Sequence, residues 1–158
     1  AEAVDLDAFG QASYHYAIAC TGSVFEALDI RFRGAHVEGG NTGVIGIVFL
    51  ADFSVRGEAG RYGPGVRNVA RKRGFVAGLR EWFGVQTDRL ATRHDEPAEP
   101  QLRAAEVLVE TLGDHFRIER LGGHREFAKA HGSSRACPGV HGMAIAEQLR
   151  RRCGWSKP

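Results

Sequence analysis

The stretch Val44-Ile45-Gly46-Ile47-Val48-Phe49-Leu50 constrains this chain more than any other. It is a continuous apolar run rich in β-branched side chains. It is too short for a typical buried helix, so the pattern predicts a central strand buried on both faces. The run also falls far short of the roughly 20 apolar residues that a membrane-spanning helix requires, and no membrane segment is predicted. At 158 residues and 17.2 kDa the chain fits one domain with one core. A domain of this size buries about 70% of its unfolded surface without disulfides. Its three cysteines, Cys20, Cys137 and Cys153, cannot all pair with one another, so at least one has another role.

Around that strand the other elements follow from local patterns. Residues 14–20 and 24–27 are two β-prone runs joined by Thr21-Gly22-Ser23, which predicts a hairpin. Residues 54–74 combine Gly57, Gly60, Gly63, Pro64, Gly65 and Gly74 with Arg56, Arg61, Arg67, Arg71, Lys72 and Arg73. That composition is loop-like, and it leads into a helix near residues 75–83. The acidic, proline-bearing linker 95–100 precedes apolar residues at helical spacing, Leu102, Ala105, Leu108, Val109 and Leu112, with Gly113 closing the run. A short strand or extended piece near 116–121, a glycine-rich loop to Gly139 and a last helix over 142–152 complete the chain. The fold class expected is mixed α/β, a central mixed sheet flanked by helices. Residues 1–10 carry acidic groups and no basic-then-apolar pattern, so no secretory signal is visible there.

Chemistry concentrates late in the chain. Gly122-Gly123-His124-Arg125-Glu126 and, thirteen residues after the histidine, Cys137-Pro138-Gly139 put an imidazole and a thiol at the two ends of one loop. Both are good zinc ligands. Taken alone, the pair reads equally well as a loop histidine and an inert buried cysteine, since metal spacing rules for His and Cys are loose.

Five segments stand in a particular order: Tyr14-His15-Tyr16, Gly34-Ala35-His36, Asn41-Thr42-Gly43-Val44-Ile45-Gly46-Ile47, Gly123-His124-Arg125-Glu126 and Cys137-Pro138-Gly139. Together they resemble the N-acetylmuramoyl-L-alanine amidases of the peptidoglycan-recognition-protein and phage-lysozyme type, over residues from about 13 to 152. Residues 54–98 look like an insertion in that plan, basic in its first part and placed after the central strand. The resemblance implies a single amidase-like domain over 1–158, with zinc in a groove that binds the glycan-peptide junction of peptidoglycan. It also implies two histidine ligands and one cysteine ligand, of which His124 and Cys137 match the later two. The first lies in the family some thirty residues before the motif of Tyr14, and only thirteen residues precede Tyr14 here. Either the chain begins after that ligand and its strand, or the ligand has been lost. His131 and His141 are close enough in sequence to substitute, although they read more simply as loop histidines.

Three protein ligands leave an open zinc position for water, whose pKa the metal lowers to about 7. The resemblance makes Tyr14 the group that orients water or steadies the oxyanion, as a phenol donor can. Where another branch of amidases carries a glutamate base, this chain has apolar Ile47-Val48-Phe49, which points to the tyrosine type. Arg135 stands where relatives carry Lys or Thr; it keeps charge and donors but cannot transfer a proton. His15, His36 and Asn41 are expected along the substrate groove. The function implied is hydrolysis of the N-acetylmuramic acid to L-alanine amide in the cell wall, with muropeptides as partners. The alternative is a module that binds peptidoglycan without cutting it. A net charge of +2 names no partner. The run Arg67, Arg71, Lys72, Arg73 and Arg80 beside Phe75, Trp82 and Phe83 reads first as a solvated helix face, and nucleic acid is not expected.

Overall fold

The structure, a computed structural model, describes residues 10–55, 58, 66–90, 95–132 and 135–158. The amino-terminal residues 1–9 and the glycines and arginines at 56, 57, 60, 61, 63 and 65 lie outside the described residues, as does Pro64. Strand β1 (Tyr16–Ile18) pairs antiparallel with β2 (Val24–Glu26), Tyr16 opposite Glu26 and Ile18 opposite Val24. The hairpin turns at Gly22 with φ +85°, where a Cβ would stand 2.8 Å from Pro100 O, so only glycine fits. Strand β3 (Ile47–Phe49) runs parallel to β1, giving the mixed order β2-β1-β3.

Among the described strands β1 therefore takes the middle and β3 one side. The burial expected on both faces of the 44–50 run is not met among the described residues: β3 is half-buried, Leu50 is 49% exposed, and only Ile47 and Phe49 pack against the helical core. Helix α1 (Val66–Arg73) and helix α2 (Phe75–Leu90) follow, then α3 (Glu99–His115), α4 (His124–Ala130) and α5 (Gly139–Cys153). The core joins Ile18 of β1 and Phe53 to Ala105 and Val109 of α3 and to Ile145 and Leu149 of α5, with Ile47, Phe49 and Trp155 packed against them. Ile18 is fully enclosed, a burial that stabilises by about 2–3 kcal/mol. Its carbonyl, at the end of β1, accepts a hydrogen bond from the buried Gln101 Nε2 at 3.1 Å, which ties α3 to the sheet without leaving a buried amide unsatisfied.

Two local expectations change. The loop read over 54–74 contains α1, because Val66, Val69 and Ala70 give it a face against α2, where a Cβ on Gly78 would meet Ala70 Cβ at 2.6 Å. Gly113 does not close α3, which continues to His115; its missing side chain makes room for the Trp155 indole, 2.8 Å from where a Cβ would be. Residues 116–121 form no strand beyond a single parallel bridge between Arg120 and Ser156. The hydrogen bonds Ser156 N to Glu119 O and Leu121 N to Ser156 O hold the carboxyl-terminal segment there. No helix among the described residues is long and apolar enough to cross a membrane.

Candidate functional site

A groove of about 1120 Å³ extends from β3 to the α3 and α5 core, and its lining includes Tyr14, His15, Asn41, His124 and Cys137. His124 opens α4. Its N-cap, Gly123, has no side chain to offer the first turn, and the Glu126 carboxylate reaches back to accept the Gly123 N–H at 3.0 Å, a negative charge placed at a helix start. The buried Arg150 of α5 donates to that same carboxylate at 3.1 Å and to Leu121 O at 2.9 Å. The turn that presents His124 is thus fastened to the last helix by a charge-assisted network.

Cys137 is placed by its neighbours' backbone. Arg125 donates its main-chain N–H to Cys137 O at 2.8 Å, and its Nη2 donates to Ala136 O. The same guanidinium donates to Glu58 Oε1 at 2.9 Å, while Glu58 Oε2 accepts the Val140 N–H at 3.0 Å and the Val55 N–H at 3.2 Å. Burial by itself would raise the Glu58 carboxyl, and these bonds with the Arg125 charge outweigh it and hold its pKa below the ordinary value. Behind the cysteine, Pro138 follows a cis peptide bond and seats against Gly142, where a Cβ would meet the proline ring at 2.6 Å. Neither Glu58 nor the Arg125 guanidinium stands out in sequence. Glu58 sits in the glycine-rich stretch, 67 residues from its partner.

The electrostatics of the pair are distinctive. Both nitrogens of His124 are buried without a hydrogen-bond partner. Burial first, then the Arg135 charge, then His36, push the His124 pKa down to about 4, so the ring is neutral and keeps an available lone pair. Burial drives the Cys137 thiol up to about 11 against the opposing pull of Arg135 and Arg125. A half-buried imidazole with enclosed, bare nitrogens and a half-buried thiol that lacks a charge partner strong enough to ionise it are groups that a soft divalent cation would satisfy together. Among the described residues no group of three His, Cys, Asp or Glu side chains gathers at metal-holding distance. His131 stacks over Gly40, where a Cβ would be 2.5 Å from its ring, and His141 binds Phe53 O through its backbone N–H at 3.3 Å; neither completes a set of three.

The remaining predicted residues form a support beside this pair. Tyr14 and His36 stack with ring centroids 5.0 Å apart and planes 20° apart. His36 Nδ1 donates to Ser13 O at 2.9 Å, which fixes the tautomer and leaves Nε2 bare, buried and without a partner. Gly34 and Gly46 wall the His36 ring so closely that a Cβ on either would come within 2.7 Å. His15 is buried with both nitrogens engaged: Nδ1 accepts the Gly46 N–H at 2.9 Å, so Nε2 carries the proton and donates to Phe32 O at 3.0 Å. Asn41 Oδ1 accepts the His36 and Val37 N–H groups at 3.0 and 2.7 Å. The structure therefore brings Tyr14, His15, Asn41, His124 and Cys137 to one groove, places His36 behind Tyr14, and sets Arg135 where its charge acts on both His124 and Cys137.

In comparison with known proteins, no curated protein and no solved structure matches the chain. The family profile described as N-acetylmuramoyl-L-alanine amidase matches residues 2–140, a span that takes in β1 to β3, Tyr14, Asn41, His124 and Cys137. The chain belongs to the N-acetylmuramoyl-L-alanine amidase family.

Proposed function

We propose that this chain hydrolyses the amide bond between N-acetylmuramic acid and L-alanine of peptidoglycan, and that His124 and Cys137 supply two of the protein ligands of a zinc ion. The observation that carries the reading is the half-buried His124 imidazole, its two nitrogens enclosed without a partner, in the same groove as the half-buried Cys137 thiol and Tyr14. Zinc, when bound, supplies Lewis acidity and lowers the pKa of water at its open position. The chain's own residues do the rest. The Tyr14 phenol, its ring held flat against His36, donates a hydrogen bond to the oxygen that gains charge as the carbonyl is attacked. Arg135 adds a permanent positive charge near that oxygen and, being always protonated, takes no part in proton transfer.

His15 serves the substrate groove indirectly, by locking residues 32 and 46 through its ring. With Asn41 Oδ1 committed to the His36 loop, a hydrogen bond to the stem peptide comes from its Nδ2. Incubating the zinc-loaded protein with a purified muropeptide releases the free stem peptide, and a chelator stops the release. Intact muropeptide after prolonged incubation with a protein that holds one zinc per chain would sink this reading in favour of binding without cleavage.

Glu58 and Arg125 position Cys137 without touching substrate. Glu58→Ala leaves the half-buried Arg125 guanidinium without its carboxylate and frees the Ala136-Cys137 backbone. Zinc affinity, read by competition with a chromogenic chelator, is expected to fall about 10- to 100-fold, the usual effect of losing a group that orients a ligand. Glu58→Gln, which keeps the size and one acceptor oxygen, recovers part of it. Equal zinc affinity in all three proteins would remove the positioning role.

A further inference from the structure

Helices α1 and α2 form a unit apart from the groove. They pack principally on each other, through Ala70 against Gly78. That contact uses the side of α2 carrying Ala77, Gly78 and Val85. The opposite sector carries Phe75, Val76, Leu79, Trp82 and Phe83, spaced i, i+1, i+4, i+7 and i+8, so all five lie on one stripe. Their exposures are 80, 80, 46, 45 and 58%. Trp82 and Phe83 meet edge to face at 5.0 Å, an aromatic pair standing in solvent. A contiguous apolar face of this kind on a solvent-exposed surface marks an interaction site.

Charge selects the occupant. Residues 66–90 hold six basic and two acidic residues, a net +4, whereas the rest of the chain holds fifteen basic against seventeen acidic, a net −2. Arg67, Arg71 and Arg73 are exposed on α1, and Arg80, four residues after Val76, borders the apolar stripe. A second copy of this unit would bring two like-charged surfaces together. A phosphate-bearing polymer or nucleic acid would satisfy the arginines but give nothing to Val76 and Leu79. An anionic bilayer satisfies both, with phenyl and indole rings at the acyl boundary and guanidinium groups among the headgroups.

We propose that the α1–α2 unit is a membrane-surface anchor that seats its Phe75, Val76, Leu79, Trp82 and Phe83 face in a bilayer containing anionic lipid. This does not depend on the amidase reading. The test mixes the whole protein with vesicles of phosphatidylcholine alone, or with phosphatidylglycerol added, and follows co-sedimentation and tryptophan emission. The expected result is binding to the anionic vesicles, weakened by salt, with little binding to the neutral ones. Trp82→Ser/Phe83→Ser abolishes it. Arg71→Glu/Arg80→Glu lowers it at least about thirty-fold, since each basic side chain near such a surface is worth about five-fold in partitioning. Both pairs are solvent-exposed and outside the groove, so hydrolysis of a soluble muropeptide is unchanged. Failure to bind either vesicle overturns the proposal. So does binding that survives both double substitutions, or a lipid-independent dimer that the Trp82/Phe83 substitutions dissociate.

Discussion

Serine in place of Cys137 is expected to lower amidase turnover by at least about 10³-fold and to leave the protein without stoichiometric zinc, while its circular dichroism stays that of the parent. The expectation rests on where the sulfur sits. The Cys137 loop is held by Arg125 from two directions, through the main-chain N–H to Cys137 O and the guanidinium to Ala136 O, and none of these bonds involves the thiol. Removing sulfur therefore leaves the loop standing, in contrast to a substitution at Gly142 or Gly123, which would push Pro138 aside. What is lost is a soft anionic donor. Burial holds the thiol pKa at about 11, so the group is neutral at pH 7 in the metal-free protein, and a cation is what makes its ionised form stable. A serine hydroxyl ionises far less readily and offers no such donor. Zinc per chain and initial rate of muropeptide cleavage, measured together, check this; a Cys137→Ser protein that keeps both would remove Cys137 from the site.

Much of this arrangement could be read from residue order. The hairpin is written in Tyr16 to Glu26 because two β-prone runs and a Gly22 turn are local signals, and α3 is written in the spacing of Leu102, Ala105, Val109 and Leu112. The groove was legible through Tyr14, Asn41, His124 and Cys137, whose order matches the family. Other features depend on contacts distant in sequence. Gly113 looks like a helix stop until Trp155, 42 residues later, is seen to fill the space beside it. Residues 54–74 look like loop because glycine and arginine dominate, and α1 becomes visible only through its packing on Gly78. Glu58 carries no local signature of its role, which exists because Arg125 and Val140 converge on it. His15 read as a groove residue by its position beside Tyr14, while its two backbone bonds show it binding the loops together.

The metal-free protein is expected to lose about 3 kcal/mol of folding stability between pH 6.5 and pH 4 through His124 alone. In the unfolded chain the ring takes a proton near pH 6.5, and in the folded chain burial and the Arg135 charge delay that until about pH 4. Across that window the unfolded state binds the extra proton, so stability falls as pH falls and levels off from this source once both states are protonated. At neutral pH, where the ring is neutral in both states, this titration adds no penalty. Carboxylates with lowered pKa values, among them Asp29 at about 2, add their own acid loss, which begins below their unfolded values and so overlaps only the lower part of the window. The contribution of His124 is isolated by comparison with His124→Gln, which cannot take the proton. Urea denaturation of both metal-free proteins at half-unit pH steps should give profiles that diverge from pH 6.5 downward, the parent falling more steeply. Parallel profiles would mean that His124 reaches solvent in the folded chain. A ring that reaches solvent would also lose the desolvation that fits it to hold a metal, so this measurement bears on the zinc assignment without any assay of hydrolysis.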